Sequence, residues 1–226
     1  MQTSCAELAP KAEGRAERLA AMVAHELKNP LASVLANVGA ALEMTAPEDP
    51  RRPFLEHGEN DLLRVRDLLR ACLDLGRCAH IEPETQRLDE LVARVGRRRE
   101  AAARAAGVAL VFSQDGPAVW ARVDSLLVER VLDNLLDNAL KAIASRGGRV
   151  VLGAGRSEQG VELVVEDDGP GVDPALRHRL FTPFVTGGGG SGLGLFFVRQ
   201  VAEAHGGRVL VEASALGGAR FVVRFS

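Results

Sequence analysis

The residue best equipped for chemistry is His25, in the run Ala24-His25-Glu26-Leu27-Lys28-Asn29-Pro30-Leu31. A neutral imidazole nitrogen is a competent nucleophile toward phosphorus, provided its other ring proton is held or removed. Glu26, adjacent and ionised, can accept that hydrogen bond and stabilise developing positive charge. On a helix, His25 and Asn29 share one exposed face, while Leu27 and Leu31 turn toward a packed seam. Pro30 lacks an N–H, so the Glu26 carbonyl loses its helical partner and the helix loosens beside the histidine. By itself the run reads as an ordinary surface histidine beside a kink, since such short motifs match by chance. Three further clusters change that reading.

The first is Asn134-Leu135-Leu136-Asp137-Asn138-Ala139-Leu140-Lys141-Ala142. With Leu135, Leu136 and Ala139 toward a core, Asn134, Asn138 and Lys141 project together from one helical face. Amide oxygens suit Mg²⁺ in the presence of phosphates, and a lysine supplies a point charge for phosphate. The second is Val165-Glu166-Asp167-Asp168-Gly169-Pro170-Gly171-Val172, a strand running into an acidic, glycine-bearing turn. A carboxylate there can accept a hydrogen bond from an exocyclic amine such as that of adenine, and the glycines let a flat base approach the backbone. The third joins Phe181-Thr182-Pro183-Phe184 to Gly187-Gly188-Gly189-Gly190-Ser191-Gly192-Leu193-Gly194-Leu195. Glycines feeding a helix start give phosphate oxygens access to free backbone N–H groups. The same run suits a mobile lid anchored at Phe181/Phe184 and at the following helix. The plainer readings are a polar helix face, an acidic turn and a linker.

The elements that must position these groups fall into two regions. Residues from about Ala12 to Ala79 are helical in pattern and break at Thr45–Pro53, where three prolines cannot continue a helix. Leu27, Leu31, Val34, Val38 and Ala41 form a heptad seam on the first helix, and Leu62, Val65, Leu69 and Cys72 one on the second. Leu55, Leu68 and Leu75 broaden the second stripe, and Cys72 reads as a small core residue. A lone hairpin cannot bury such stripes, whereas two hairpins paired by symmetry can. From Pro83 the pattern mixes helices at about Leu88–Ala106, Asp124–Ser145 and Gly194–His205 with six strand-like runs, Val108–Phe112, Ala118–Val123, Val150–Ala154, Val161–Glu166, Arg208–Ala213 and Ala219–Phe225. The expected fold is α+β. Residues 1–82 form an antiparallel helical hairpin that dimerises into a four-helix bundle. Residues 83–226 form an α/β sandwich, helices on one face of a mostly antiparallel sheet.

Bulk properties exclude several classes. A net charge of −2 over 226 residues points to neither nucleic acid nor an anionic membrane. Arg97-Arg98-Arg99 lies in a helical pattern and reads as a solvated face. Cys5, Cys72 and Cys78 have neither metal-ligand nor redox spacing. No apolar stretch reaches the roughly 18 residues of a membrane span, and the amino terminus lacks a signal pattern. The expectation is a soluble, cytoplasmic protein with no membrane span in this chain.

In order and separation, these segments resemble the transmitter module of two-component sensor histidine kinases, over about Glu17 to Phe225. His25–Leu31 is similar to that family's histidine box and Asn134–Lys141 to its asparagine box. Asp167–Gly171 resembles its first glycine box, Phe181–Phe184 its phenylalanine box, and Gly190–Leu195 its second glycine box. The resemblance implies a dimerisation and histidine-phosphotransfer domain followed by a Bergerat-type ATP-binding domain. It implies that His25 is the phosphoacceptor, Glu26 its assisting base, and Asn29 the residue orienting water when a phosphorylated response regulator is hydrolysed. Asn138 would bind Mg²⁺ with support from Asn134, Lys141 would contact phosphate, and Asp167 would read the adenine amine. Gly169, Gly171, Phe184, Gly192, Leu193 and Gly194 would complete the ATP site. The stretch from Phe184 to Gly192 departs from the family in being short and mostly glycine, so few side chains there can grip the nucleotide.

The chemistry so implied is in-line attack of His25 on the γ-phosphoryl group of Mg·ATP, then transfer to an aspartate on a response regulator receiver domain. The chain is either a catalytic fragment or one that takes its signal from a separate sensor protein. Its rivals are a serine kinase on the same nucleotide fold, a dimeric phosphotransfer adaptor that no longer binds ATP, and a dedicated response-regulator phosphatase. The first needs no His-Glu hairpin, and the second would not need Asn138, Lys141, Asp167 and the glycine run together.

Overall fold

The computed structural model describes residues 9–113, 117–143, 146–186 and 191–226, with side chains from Glu26 onward. One unit comprises the helices up to Arg77, and a second begins at Cys78. In the first, α1 (Ala9–Glu43) runs through Pro30 and α2 (Arg52–Cys78) returns. The connection is built by local capping. Thr45 Oγ1 donates to the Ala41 carbonyl at 2.6 Å, and the Arg52 guanidinium donates to the carbonyls of Thr45 at 2.7 Å and Leu42 at 3.3 Å. The first satisfies an acceptor that the end of α1 leaves without a helical partner, and the others tie the start of α2 to the connection. Pro53 sits inside the first turn of α2 rather than before it. Its missing N–H costs nothing there.

Leu31, Leu35 and Val38 of α1 are half-buried and Leu42 is buried, and on α2 Leu62, Leu63 and Leu69 are half-buried and Ala71 is buried. Leu27, Val34 and Val65 of the expected seam are exposed on a single hairpin. Cys72, expected in a core, is exposed as well; its neighbour Ala71 takes the buried position. Cys5 lies outside the described residues.

The second unit opens with β1 (Glu84–Arg87), a strand absent from the sequence reading, followed by α3 (Leu88–Ala105), β2 (Val108–Ser113) and β3 (Trp120–Val123). β1 and β3 pair antiparallel as a separate two-stranded sheet. The run at Ala118–Val123 is therefore not part of the main sheet. Then come α4 (Ser125–Ile143), β4 (Gly148–Ser157), β5 (Gly160–Asp167), a one-turn α5 (Pro174–Arg177), α6 (Gly194–Ala204), β6 (Arg208–Ala213) and β7 (Ala219–Phe225). The main sheet has the order β2-β4-β5-β7-β6 and is antiparallel except for β2 against β4.

Strand alternation decides which face is covered. Val161, Leu163, Val165 and Asp167 of β5 are buried and their neighbours only partly so. Leu152, Phe221, Val223 and Phe225 join that face. Leu88, Leu91, Val95 from α3, Val128, Leu132, Leu135, Leu136 and Ala139 from α4, and Phe197, Val198 and Val201 from α6 complete one core. The expected sandwich, helices on one face of a mostly antiparallel sheet, is the observed architecture. Asp167 continues the buried face of β5 one step past its last apolar residue, so the alternation that builds the core also delivers a carboxylate to its edge.

Candidate functional site

α4 is helical because Leu127, Val128, Val131, Leu132, Leu135, Leu136, Ala139 and Ile143 recur on one buried stripe. Its partly buried flank carries Asn134 and Asn138, and Lys141 is exposed in the last turn. Asn134 Nδ2 donates to the Arg130 carbonyl at 2.8 Å. That bond turns Oδ1 toward the start of α6, where a Cβ built on Gly194 would lie 2.8 Å from it. A side chain at 194 would push the Asn134 amide aside. The Asn138 side-chain nitrogen is buried with no hydrogen-bond partner among the described residues. An orphaned amide is costly unless a ligand completes it. The two amide orientations are isosteric, so the flipped form presents oxygen at the same point.

Asp167 ends β5 buried. Its Oδ1 accepts from the backbone N–H of Gly169 at 2.8 Å and of Ala219 at 3.2 Å. Burial pushes its carboxyl above the usual aspartate value, an effect the two N–H donors oppose and nearby Asp168 reinforces. A Cβ on Gly169 would meet Oδ1 at 2.6 Å and Ile143 Cγ2 at 3.0 Å, and one on Gly218 would overlap the same carboxylate oxygen. Gly171 adopts φ 75°, which turns the chain after Pro170. Gly218 and Ala219 also surround this carboxylate, although the sequence reading gives neither a role in the site and takes Ala219 only as the start of a strand.

The segment that leads to α6 is closed by one backbone bond, Phe184 N–H to the Gly192 carbonyl at 3.0 Å. Gly192 has φ 69°, and a Cβ on it would lie 2.6 Å from the Phe184 carbonyl carbon. Phe184 itself adopts φ 65°, unusual for a residue with a Cβ, and is 67% exposed. Phe181, by contrast, packs edge-on against Phe221 with centroids 6.5 Å apart. The expected anchor is thus divided: Phe181 holds to the core and Phe184 sets the backbone of the loop. α6 then begins after buried Leu193 with no side-chain cap among the described residues, a helix start able to offer its first N–H groups to a ligand. Gly187–Gly190, the heart of the expected lid, lies outside the described residues.

One region therefore gathers Asn134, Asn138, Asp167, Gly169, Gly192, Leu193 and Gly194, with Phe184 at the loop base and Lys141 exposed at the end of α4. Such a set offers a buried acceptor, an unsatisfied amide and free helical N–H groups. In the other unit, Glu26 and Asn29 are exposed on α1. His25 lies in the same helix, and its side chain is outside the described residues. No group of His, Cys, Asp and Glu side chains suited to a metal ion occurs among the described residues. No described helix is long and apolar enough to cross a membrane.

Comparison with known proteins agrees with both units. Residues 15–80 match the His Kinase A (phospho-acceptor) domain, and residues 123–226 match the histidine kinase-, DNA gyrase B- and HSP90-like ATPase domain. The sensor protein FixL of Bradyrhizobium diazoefficiens is 33% identical over 90% of this chain and 42% of its own length. Full-length ShkA, solved in complex with AMPPNP, superposes with a TM-score of 0.65 at 26% identity, over 92% of this chain and 46% of that one. The ATP binding domain of PrrB from Mycobacterium tuberculosis superposes with a TM-score of 0.52 at 30% identity, over 63% of this chain and 96% of that one. The chain spans less than half the length of the curated relatives it matches.

Proposed function

We propose, for a chain that belongs to the sensor histidine kinases and joins a phospho-acceptor domain to an ATPase domain, that it phosphorylates its own His25 from ATP. The phosphoryl group then passes to an aspartate on the receiver domain of a response regulator. Residues 1–82 serve as the dimerisation and phosphotransfer domain and residues 83–226 as the catalytic domain. The module works in the cytoplasm, where ATP and Mg²⁺ are supplied, and its signal comes from a sensor, separate or linked.

The observation that carries this reading is the buried Asp167 carboxylate, one oxygen held by two backbone N–H groups and crowded by Gly169 and Gly218. Its other oxygen is left to accept from the exocyclic amine of adenine. Gly169 and Gly171 let the base lie against backbone. Asn138 and Asn134 would hold Mg²⁺ through their amide oxygens. Bound there, the ion would neutralise phosphate charge. The chain's own groups do the rest. Lys141 and the N–H groups at Leu193–Gly194 bind phosphate oxygens, and the Phe184–Gly192 bond closes the loop beside them. His25 attacks the γ-phosphorus, the bond to the β,γ-bridging oxygen breaks and ADP leaves, while Glu26 accepts the hydrogen bond of the other ring N–H. Asn29, on the same exposed face, orients water when the module instead dephosphorylates its regulator.

The test is equilibrium binding of nucleotides to the full chain. ADP binds and GDP does not, because guanine presents a carbonyl where adenine presents an amine. Asp167→Asn exchanges an acceptor for a donor and weakens ADP binding at least tenfold, about 1.4 kcal/mol. Equal affinity for ADP and GDP, or an unchanged affinity in Asp167→Asn, contradicts the reading.

A further inference from the structure

Ten residues before Asn134, and far from any group assigned above, Asp124 stands at a junction of three elements. Its side chain is buried directly ahead of α4. Oδ1 accepts from Leu126 N–H at 3.1 Å and Leu127 N–H at 3.2 Å, capping that helix. Oδ2 accepts from Glu82 N–H at 3.3 Å, in the segment between α2 and β1. Its own backbone N–H donates to His205 Nε2 at 2.9 Å. Because Nε2 accepts there, Nδ1 must carry the ring proton, and it donates to the Val201 carbonyl at 2.8 Å.

His205 is held for this task. α6 stops in a left-handed turn at Gly206, φ 69°, with Gly207 N–H donating back to the Ala202 carbonyl at 2.8 Å. A Cβ on Gly207 would overlap the Arg224 carbonyl, so the turn presses onto β7 as only glycine permits. The ring stands edge-on to Phe225, centroids 5.6 Å apart.

α4 and α6 are therefore bonded at one end, where the Asp124 N–H donates to His205, and approach closely at the other, where a Cβ on Gly194 would meet Asn134 Oδ1. The bond sits about 15 Å of helix from the close approach on each element. A change at the bond alters how the uncapped start of α6 sits against Asn134, hence how the phosphate-binding and metal-binding groups face each other. The segment leading into the bond is docked rather than loose. Cys78 and Ile81 pack against the domain core, and Glu82 is bonded to Asp124.

We propose that Asp124 and His205 are positioning residues of the nucleotide site, and that through Glu82 the segment Cys78–Pro83 is energetically coupled to nucleotide binding. This rests on the ATP-binding reading above. Coupling is reciprocal: if docking of the segment favours nucleotide, nucleotide favours docking by the same factor.

Two variants cut the same bond from opposite sides. Asp124→Asn keeps an oxygen for the Leu126 and Leu127 N–H groups and places an NH₂ toward Glu82. Glu82→Pro removes the donor and leaves Asp124 untouched. In the full chain, ADP affinity is measured by calorimetry, and amide exchange of residues 79–87 is followed with and without saturating Mg·ADP. The wild type gains protection in that segment on binding ADP, by about fivefold or more. Both variants lose the gain and bind ADP about fivefold or more weakly. His205→Gln, which retains an acceptor and a donor, binds ADP more tightly than His205→Leu. A role confined to stability lowers the melting temperature and leaves affinity and ADP-dependent protection at wild-type levels in both variants, and that result overturns the inference alone. A wild type that binds no ADP overturns the nucleotide reading and this inference with it.

Discussion

Asp167 keeps a carboxylate at the edge of the core, and burial is the main reason its pKa rises. The consequence for stability has a definite sign. The folded state binds this proton at pH values where the unfolded chain has released it, so stability falls as pH rises through the raised value. At neutral pH the folded protein bears the whole desolvation cost. Asp167→Asn retains an oxygen for Gly169 and Ala219 and removes the charge, so its melting temperature at pH 7 equals or exceeds that of the wild type. Ligand binding runs the other way. An ionised carboxylate accepts from adenine's amine more strongly than the protonated acid does, so ADP affinity declines on acidification beginning above the ordinary aspartate range. A calorimetric pH series with the wild type shows that decline; a flat profile down to pH 4 contradicts it. Stability unharmed while binding is lost marks a residue kept for function, the pattern expected where a buried charge serves a ligand.

The loop between Phe184 and Gly192 illustrates how an element depends on backbone conformation. Both ends use left-handed φ, and one N–H to carbonyl bond joins them. Gly192→Ala forces a Cβ against the Phe184 backbone. Its cost, about 1–3 kcal/mol of local strain, falls on the loop rather than the core. ADP affinity drops roughly tenfold, as 1.4 kcal/mol of that strain would require, while the main thermal transition moves little. A global loss of stability with affinity retained would show that the loop is not part of the site. Much of this was legible in the sequence. α4 declared itself through its leucine stripe, which fixed the face carrying Asn134 and Asn138, and the strand-turn at Asp167 followed from β5's alternation. Gly218 was not legible, because its meaning lies in a contact between β7 and β5 that no local pattern encodes. β1, Glu84-Thr85-Gln86-Arg87, was missed because a short polar strand has no alternation to detect and owes its pairing to β3, far along the chain. Heptad spacing in α1 showed how much apolar surface needed covering, and could not say which residues meet α2 and which a second copy.

For the molecule as a whole, that last division has a consequence. Leu27, Val34 and Val65 are 49%, 45% and 51% exposed on a single hairpin. Apolar residues at these spacings are the surface a second hairpin would cover. Val34→Glu with Val65→Glu therefore converts a dimer to a monomer in sedimentation equilibrium, without disturbing ADP binding by the catalytic domain. A double variant that sediments like the wild type removes the basis for a dimer built on this face. Phosphorylation of His25 is measured most directly by labelling of the purified chain with Mg²⁺ and γ-labelled ATP, beside His25→Gln and Asn138→Ala. That mechanism gives acid-labile, alkali-stable label on the wild type and none on either variant. A wild type that binds ATP and takes no label, or label that persists in His25→Gln, would contradict it.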